Sequence, residues 1–96
     1  MNGLIAAAIE QRRLLKLAYS AGSRIVEPHV YGLTGSGKEL LRCYQVVGES
    51  ASRHRAGWKL LRADRVTAVE VLDIRFLLRA GYNPDDPTIC AILSRV

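Results

Sequence analysis

The sequence predicts a mainly β (α+β) protein: a small, partly open five-stranded barrel with one N-terminal helix and a short C-terminal helix. Three observations predict it. Apolar and polar residues alternate in five short runs, which is the period of strands. Glycine, serine, asparagine and aspartate separate the runs. Helical spacing appears only at the two ends of the chain. Ninety-six residues make a single domain, 1–96. Within it, 1–13 form the helix, 14–73 the barrel, and 74–96 a tail with the closing helix.

Asn2 has the side chain of a helix cap, and Ile5, Ala8 and Ile9 follow on one stripe. From Leu14 the period becomes two: Leu15, Leu17 and Tyr19 alternate with Lys16 and Ala18. Ser20-Ala21-Gly22-Ser23 is a hairpin turn. The second strand, 24–31, contains Pro28, which lacks the ladder donor and so belongs on an edge or at a bulge. This puts His29 in an edge strand. Thr34-Gly35-Ser36-Gly37 connects to a third strand, 39–47, and a polar loop leads to a fourth, 58–63. Asp64-Arg65 turns into a fifth, 66–72. Asp86-Pro87 then reads as a helix start, with Ile89, Ile92, Leu93 and Val96 at helical spacing. Five curled strands cover much of their own apolar face, and the helices close the ends.

The net charge is +5, with a sequence pI of 9.7, so the expected partners are anions: nucleotides, nucleic acid or an acidic surface. The charge is gathered. From Arg42 to Arg65 lie Arg42, Arg53, Arg55, Lys59, Arg62 and Arg65, against Glu49 and Asp64 alone. Cys43 and Cys90 are far apart and set among apolar residues, the pattern of buried reduced thiols rather than of a disulfide or metal site. No apolar run is long enough to span a bilayer, and no basic region precedes the first apolar run. The expectation is a soluble, cytoplasmic protein with no cofactor and no metal.

Five segments in order carry a resemblance. They are Leu17-Ala18-Tyr19, Glu27-Pro28-His29-Val30-Tyr31-Gly32, Leu41-Arg42-Cys43-Tyr44-Gln45, the run from Gly57 to Val66, and Gly81-Tyr82-Asn83-Pro84. Together they resemble the WYL domain, most closely its short stand-alone members, over nearly the whole chain. The naming Trp-Tyr-Leu triplet falls on Glu39-Leu40-Leu41, so only the leucine is kept. Leu61 stands where the family usually has phenylalanine. Tyr44 and Trp58 are the aromatic candidates left. The resemblance implies an Sm-like, SH3-type barrel. It also implies a ligand-sensing role in bacterial transcription regulation or nucleic-acid-linked defence, with single-stranded DNA among the ligands.

The candidate ligand residues are Arg42, Tyr44, Arg62, Arg65, Arg24, His29 and Trp58, with Arg53, His54 and Arg55 as possible loop contacts. Alternation turns Leu41, Cys43 and Gln45 inward and Arg42 and Tyr44 outward. Gln45 then needs a buried partner. Arg62 projects on the same outer side as Arg42. Guanidinium groups flanking a ring can seat a phosphate and a base, with stacking contributing about 1–3 kcal/mol. The competing reading is a solvated face with a cation resting on tyrosine, about 0.5–1 kcal/mol.

Other candidates carry two readings as well. Arg65 either faces the ligand or pairs with Asp64. Glu27 is a structural partner for an arginine. His29 is a phosphate donor, a proton-transfer group of a nuclease-like enzyme, or a satisfied structural residue, and Trp58 is either a core lid or a stacking platform.

The sequence has no Gly-x-Ser-x-Gly, no metal-ligand spacing and no nucleophile beside a base. The expected function is a non-catalytic module binding a nucleotide or single-stranded nucleic acid, alone or beside a DNA-binding regulator. The alternative is a structural module forming homo-oligomers through strand edges or the C-terminal helix.

Overall fold

The computed structural model describes residues 2–19, 22–48 and 56–96. Arg53, His54 and Arg55 lie outside the described residues. The helix α1 (Gly3–Gln11) starts where Asn2 accepts from the amides of Leu4 and Ile5, as its capping side chain predicts. Among the described residues six strands follow: β1 (Arg13–Tyr19), β2 (Gly22–Leu33), β3 (Glu39–Gly48), β4 (Gly57–Arg62), β5 (Ala68–Arg75) and β6 (Ala91–Arg95). A single 3-10 turn, Ala63–Arg65, joins β4 to β5.

All pairings are antiparallel, in the order β4-β3-β2-β1-β5, with β6 added to β2. Among the described residues, β4 and β5 do not pair with each other. The Arg62 amide instead donates to the Tyr19 hydroxyl at 3.1 Å, tying the end of β4 to β1.

The expected C-terminal helix is a strand. The reason lies in β2, which is 12 residues long. One of its edges is covered by β3 throughout. The other is covered by β1 only as far as Val26. Backbone groups beyond that point need a partner, and β6 supplies it opposite Val30 to Leu33. The 89–96 stretch is too short for its spacing to choose between the two periods. Asp86 does accept from the Thr88 amide, at 3.0 Å, but a turn follows rather than a helix.

β2 is therefore interior, which corrects the edge placement of His29. Pro28 sits at a bulge, the other position open to it. Pro28 pairs with Cys43 and Val30 with Arg42, leaving His29 as the extra residue.

The sheet has two covered faces. On the inner one, Ile5, Ala8 and Ile9 pack on Leu15, Leu17, Val26, Tyr31, Leu41, Cys43 and Leu61. The Tyr31 hydroxyl accepts from the Asn2 amide at 2.7 Å and pins the helix start. Gln45 finds its buried partner in Arg24, whose Nη1 donates to Oε1 at 3.1 Å.

On the outer face, residues 76–90 cross β2, β3 and β4 as a strap. Val30, Leu40 and Ile89 cluster there with Tyr82. The strap ends are fixed by the Phe76 amide on the Arg12 carbonyl (2.9 Å) and the Cys90 amide on the Leu33 carbonyl (2.8 Å).

Cys43 is fully buried, and burial pushes its thiol up to about 12, so it is inert as a thiolate. Cys90 is exposed, contrary to the expectation of two buried thiols, because it lies at the turn between strap and β6. Among the described residues, no helix is long and apolar enough to cross a membrane.

The Tyr82 hydroxyl is buried with no hydrogen-bond partner among the described residues. An orphaned hydroxyl costs about 1–3 kcal/mol. Tyr82→Phe keeps the ring and removes the orphan, so urea unfolding should show a gain of about 1 kcal/mol.

Candidate ligand cleft on the outer face

The outer face of β3 and β4 is built by register. Leu40 lies opposite Arg62, Arg42 opposite Leu60, and Tyr44 opposite Trp58. Arg42 and Arg62 are thus diagonal neighbours, on the side the alternation predicts. The strap, however, covers the middle of that face.

Arg42 donates from Nε to Asp86 Oδ2 at 2.8 Å, with both side chains largely shielded from water. Burial alone would raise the Asp86 carboxyl. Its bonds to the Thr88 amide, the Arg42 guanidinium and the Thr88 hydroxyl outweigh that and hold it below the ordinary 3.8. The contribution of this ion pair to stability is present above pH 3.8 and is lost as the pH falls through the lowered value. Arg62 pairs with Asp64 at 2.9 Å. The corner aspartate therefore takes Arg62 rather than Arg65, which remains exposed in the 3-10 turn.

Behind the strap lies an aromatic cluster. His29 sits 4.8 Å from Trp58, 5.2 Å from Phe76 and 5.2 Å from Tyr82, between ring centroids. Trp58 meets Tyr44 edge-on at 5.6 Å. The Arg79 guanidinium lies 4.0 Å over the Tyr44 ring and grips both oxygens of Glu27, at 3.0 and 2.8 Å. Glu27 is thus the structural partner of an arginine, and that arginine is Arg79.

Between the strap and β3–β4 opens a cleft of about 280 Å³, lined by Arg42, Trp58, Gly81, Asn83 and Asp86. Gly81 has φ 88°, and a Cβ there would come within 3.1 Å of Trp58 Nε1. Glycine at this position both permits the turn and leaves the indole edge open.

Of the residues singled out from sequence, Arg42 and Trp58 share this cleft. Tyr44 stands behind Trp58, shielded by Arg79. Arg62 lies on the same face but in its own ion pair, and Arg65 lies beyond it. Arg24 belongs elsewhere: it is buried beside Gln45 and over the Tyr19 ring, at 4.8 Å. His29 is wholly buried with both ring nitrogens bonded, which leaves it no contact with a ligand in solution.

Sequence reasoning missed Asp86 and Asn83 as cleft residues, and Arg79 altogether. Gly81-Tyr82-Asn83-Pro84 marked the turn, but nothing local says that it folds over Trp58. The signal for Arg79 was Glu27, which the sequence reading takes as the structural partner of an arginine without saying which one.

Comparison with protein-family models, curated proteins and solved structures gives no match for this chain.

Proposed function

We propose that this chain is a non-catalytic, WYL-type binding module with an Sm-like sheet, and that it holds a nucleotide or single-stranded nucleic acid at the Trp58 cleft. The single observation that carries the reading is the convergence of Arg42, Trp58, Asn83 and Asp86 on one opening. The open indole edge offers a base an apolar wall and an N–H donor. A side-chain amide and a carboxylate suit base edges, and a guanidinium suits a phosphate. The volume fits one base rather than a large cofactor. The net charge of +5 favours the approach of a polyanion to the molecule as a whole.

The ion pairs refine this reading. A phosphate reaching Arg42 must displace Asp86. Asp86→Asn keeps the size and removes the competing charge, so it should tighten binding of phosphate-bearing ligands several-fold. A loss of affinity in that variant would assign Asp86 to the base edge instead.

Trp58 is the sole tryptophan, so its fluorescence reports binding directly. Titration with mono-, cyclic and oligonucleotides should quench it. Affinity should fall steeply with added salt, because phosphate contacts release counterions. Arg42→Ala should weaken binding at least tenfold, and Arg62→Ala, outside the cleft, much less. No quenching by any of these ligands at low salt, or a flat salt response, would overturn the proposal.

One observation favours assembly as a second reading. Ile74, Leu77 and Leu78 are exposed together, Leu77 by 84 %. A Leu77→Asp/Leu78→Asp variant that turns an oligomer into a monomer in light scattering, with ligand binding intact, would support it.

A further inference from the structure

The strap is held to the sheet through a histidine whose hydrogen bonds permit only one protonation state. His29 is the extra residue of the β2 bulge, and its ring is wholly buried. Its Nδ1 lies 2.8 Å from the Glu27 carbonyl oxygen. The Arg79 amide reaches its Nε2 at 3.2 Å. A backbone amide only donates, so Nε2 must carry the lone pair. Nδ1 then carries the proton and donates to the Glu27 carbonyl. The ring is held as the neutral Nδ1–H tautomer.

A second proton can go only onto Nε2. There it removes the acceptor of the Arg79 amide and sets one N–H against another. The new charge would be buried among Trp58, Phe76 and Tyr82, where desolvation penalises it.

We propose that His29 is an acid-sensitive latch: taking up a proton at Nε2 releases residues 76–90 from the outer face while the inner core stays folded. This proposal does not rest on the ligand reading. It follows from how the strap is fastened.

Its hold on β2 near His29 consists of the Arg79 amide, the Arg79–Glu27 pair and the ring contacts. The remaining anchors are the Phe76 amide on the Arg12 carbonyl at the near end and, past an exposed turn, Asp86 on Arg42, Ile89 against Val30 and Leu40, and the Cys90 amide on Leu33. The inner core shares none of these contacts.

The charged groups around the ring oppose each other. Glu27, on the same strand, favours the imidazolium, and Arg79, on the strap, disfavours it. Tyr82 and Phe76 face the ring from the strap and Trp58 from β4, all uncharged. On β3 the register neighbours of the bulge are Cys43, a neutral thiol, and Arg42, tied to Asp86.

Burial is the largest influence and disfavours the charged ring, holding His29 below its ordinary 6.5. The folded state therefore binds the proton less well than the released one. The latch is at full strength above pH 6.5 and weakens as the pH falls toward the lowered value.

Hydrogen exchange on the full chain tests this between pH 7.5 and 5. Protection of the Arg79 and Tyr82 amides should fall by up to about tenfold per pH unit below the ordinary imidazole range. The β3 amides should keep theirs. In His29→Gln, whose side-chain oxygen can still accept from Arg79 but cannot titrate, strap protection should lose this pH dependence.

Nitrogen NMR of the wild-type ring provides a check that needs no variant. Nε2 should remain the unprotonated nitrogen until the strap opens. Strap amides that keep pace with β3 across the range would overturn the proposal. So would a ring that titrates at 6.5 with strap protection unchanged.

Discussion

Gly32→Ala is expected to dislodge β6 and lower stability at the upper end of the range for overpacking, about 3 kcal/mol. A Cβ at Gly32 would collide with the backbone carbonyl oxygen of Ala91 and with the Ile89 side chain. Ile89 meets the added carbon with a side-chain methyl, which has a torsion by which to yield. The Ala91 carbonyl has none, because it belongs to the strand paired with β2, where Leu33 lies opposite Ala91. Relief requires β6 to move away, and Ile89 then leaves the outer cluster with Val30 and Leu40. For a domain of this size, each kcal/mol lowers the melting temperature by about 4–8 °C. Thermal and urea unfolding check the value. Exchange at the amides of β6 and the strap shows whether the loss is local. A change below about 0.5 kcal/mol would mean that the close approach of β6 does not restrict this position.

Arg79→Ala is the second large effect. It leaves the Glu27 carboxylate, whose side chain is only 8 % exposed, without the guanidinium that binds both its oxygens. Removing one partner of a fully buried ion pair costs about 3–5 kcal/mol. Arg79 is itself 38 % exposed, so water screens part of the pair, and the loss falls below that of a fully buried pair while remaining readable in urea unfolding. The lost guanidinium also uncovers the Tyr44 ring. Adding Glu27→Gln to Arg79→Ala should recover part of the loss, because the stranded charge is gone. A double variant no more stable than the single one would show that packing on Tyr44, rather than the ion pair, carries the cost.

Both predictions concern segments whose residues are visible in the sequence but whose partners are not. Gly32 closes the Glu-Pro-His-Val-Tyr-Gly run, and the members of that run meet different parts of the fold. Glu27 holds Arg79, Pro28 sits at the bulge, and His29 faces the strap. Tyr31 pins the helix start, and Gly32 admits β6. In the sequence the run reads as one strand with a proline in it. What each residue does there depends on elements up to about sixty residues away.

The periodic parts of the fold could be read directly. Asn2 and the stripe at Ile5, Ala8 and Ile9 define α1. The alternation at Leu41, Cys43 and Gln45 against Arg42 and Tyr44 sets which face of β3 is buried. It also correctly requires a partner for Gln45. Reading from sequence failed in two places: residues 76–90, which have no period, and the stretch after them, where helical spacing at Ile89, Ile92, Leu93 and Val96 is met by a strand. Arg42 and Arg62 project outward as alternation says, yet each already holds a carboxylate, and one of those comes from the strap.

The sequence by itself determined the register of burial, the strand composition and the gathering of positive charge, because these depend on neighbours a few residues apart. Only the tertiary structure decided that the tail becomes a sixth strand, and that a strap closes over the outer face. The physical reason is the unpaired half of a long β2 edge and the apolar outer side of β2 and β3. Both needs arise only once distant segments meet, and the last twenty residues are what satisfies them.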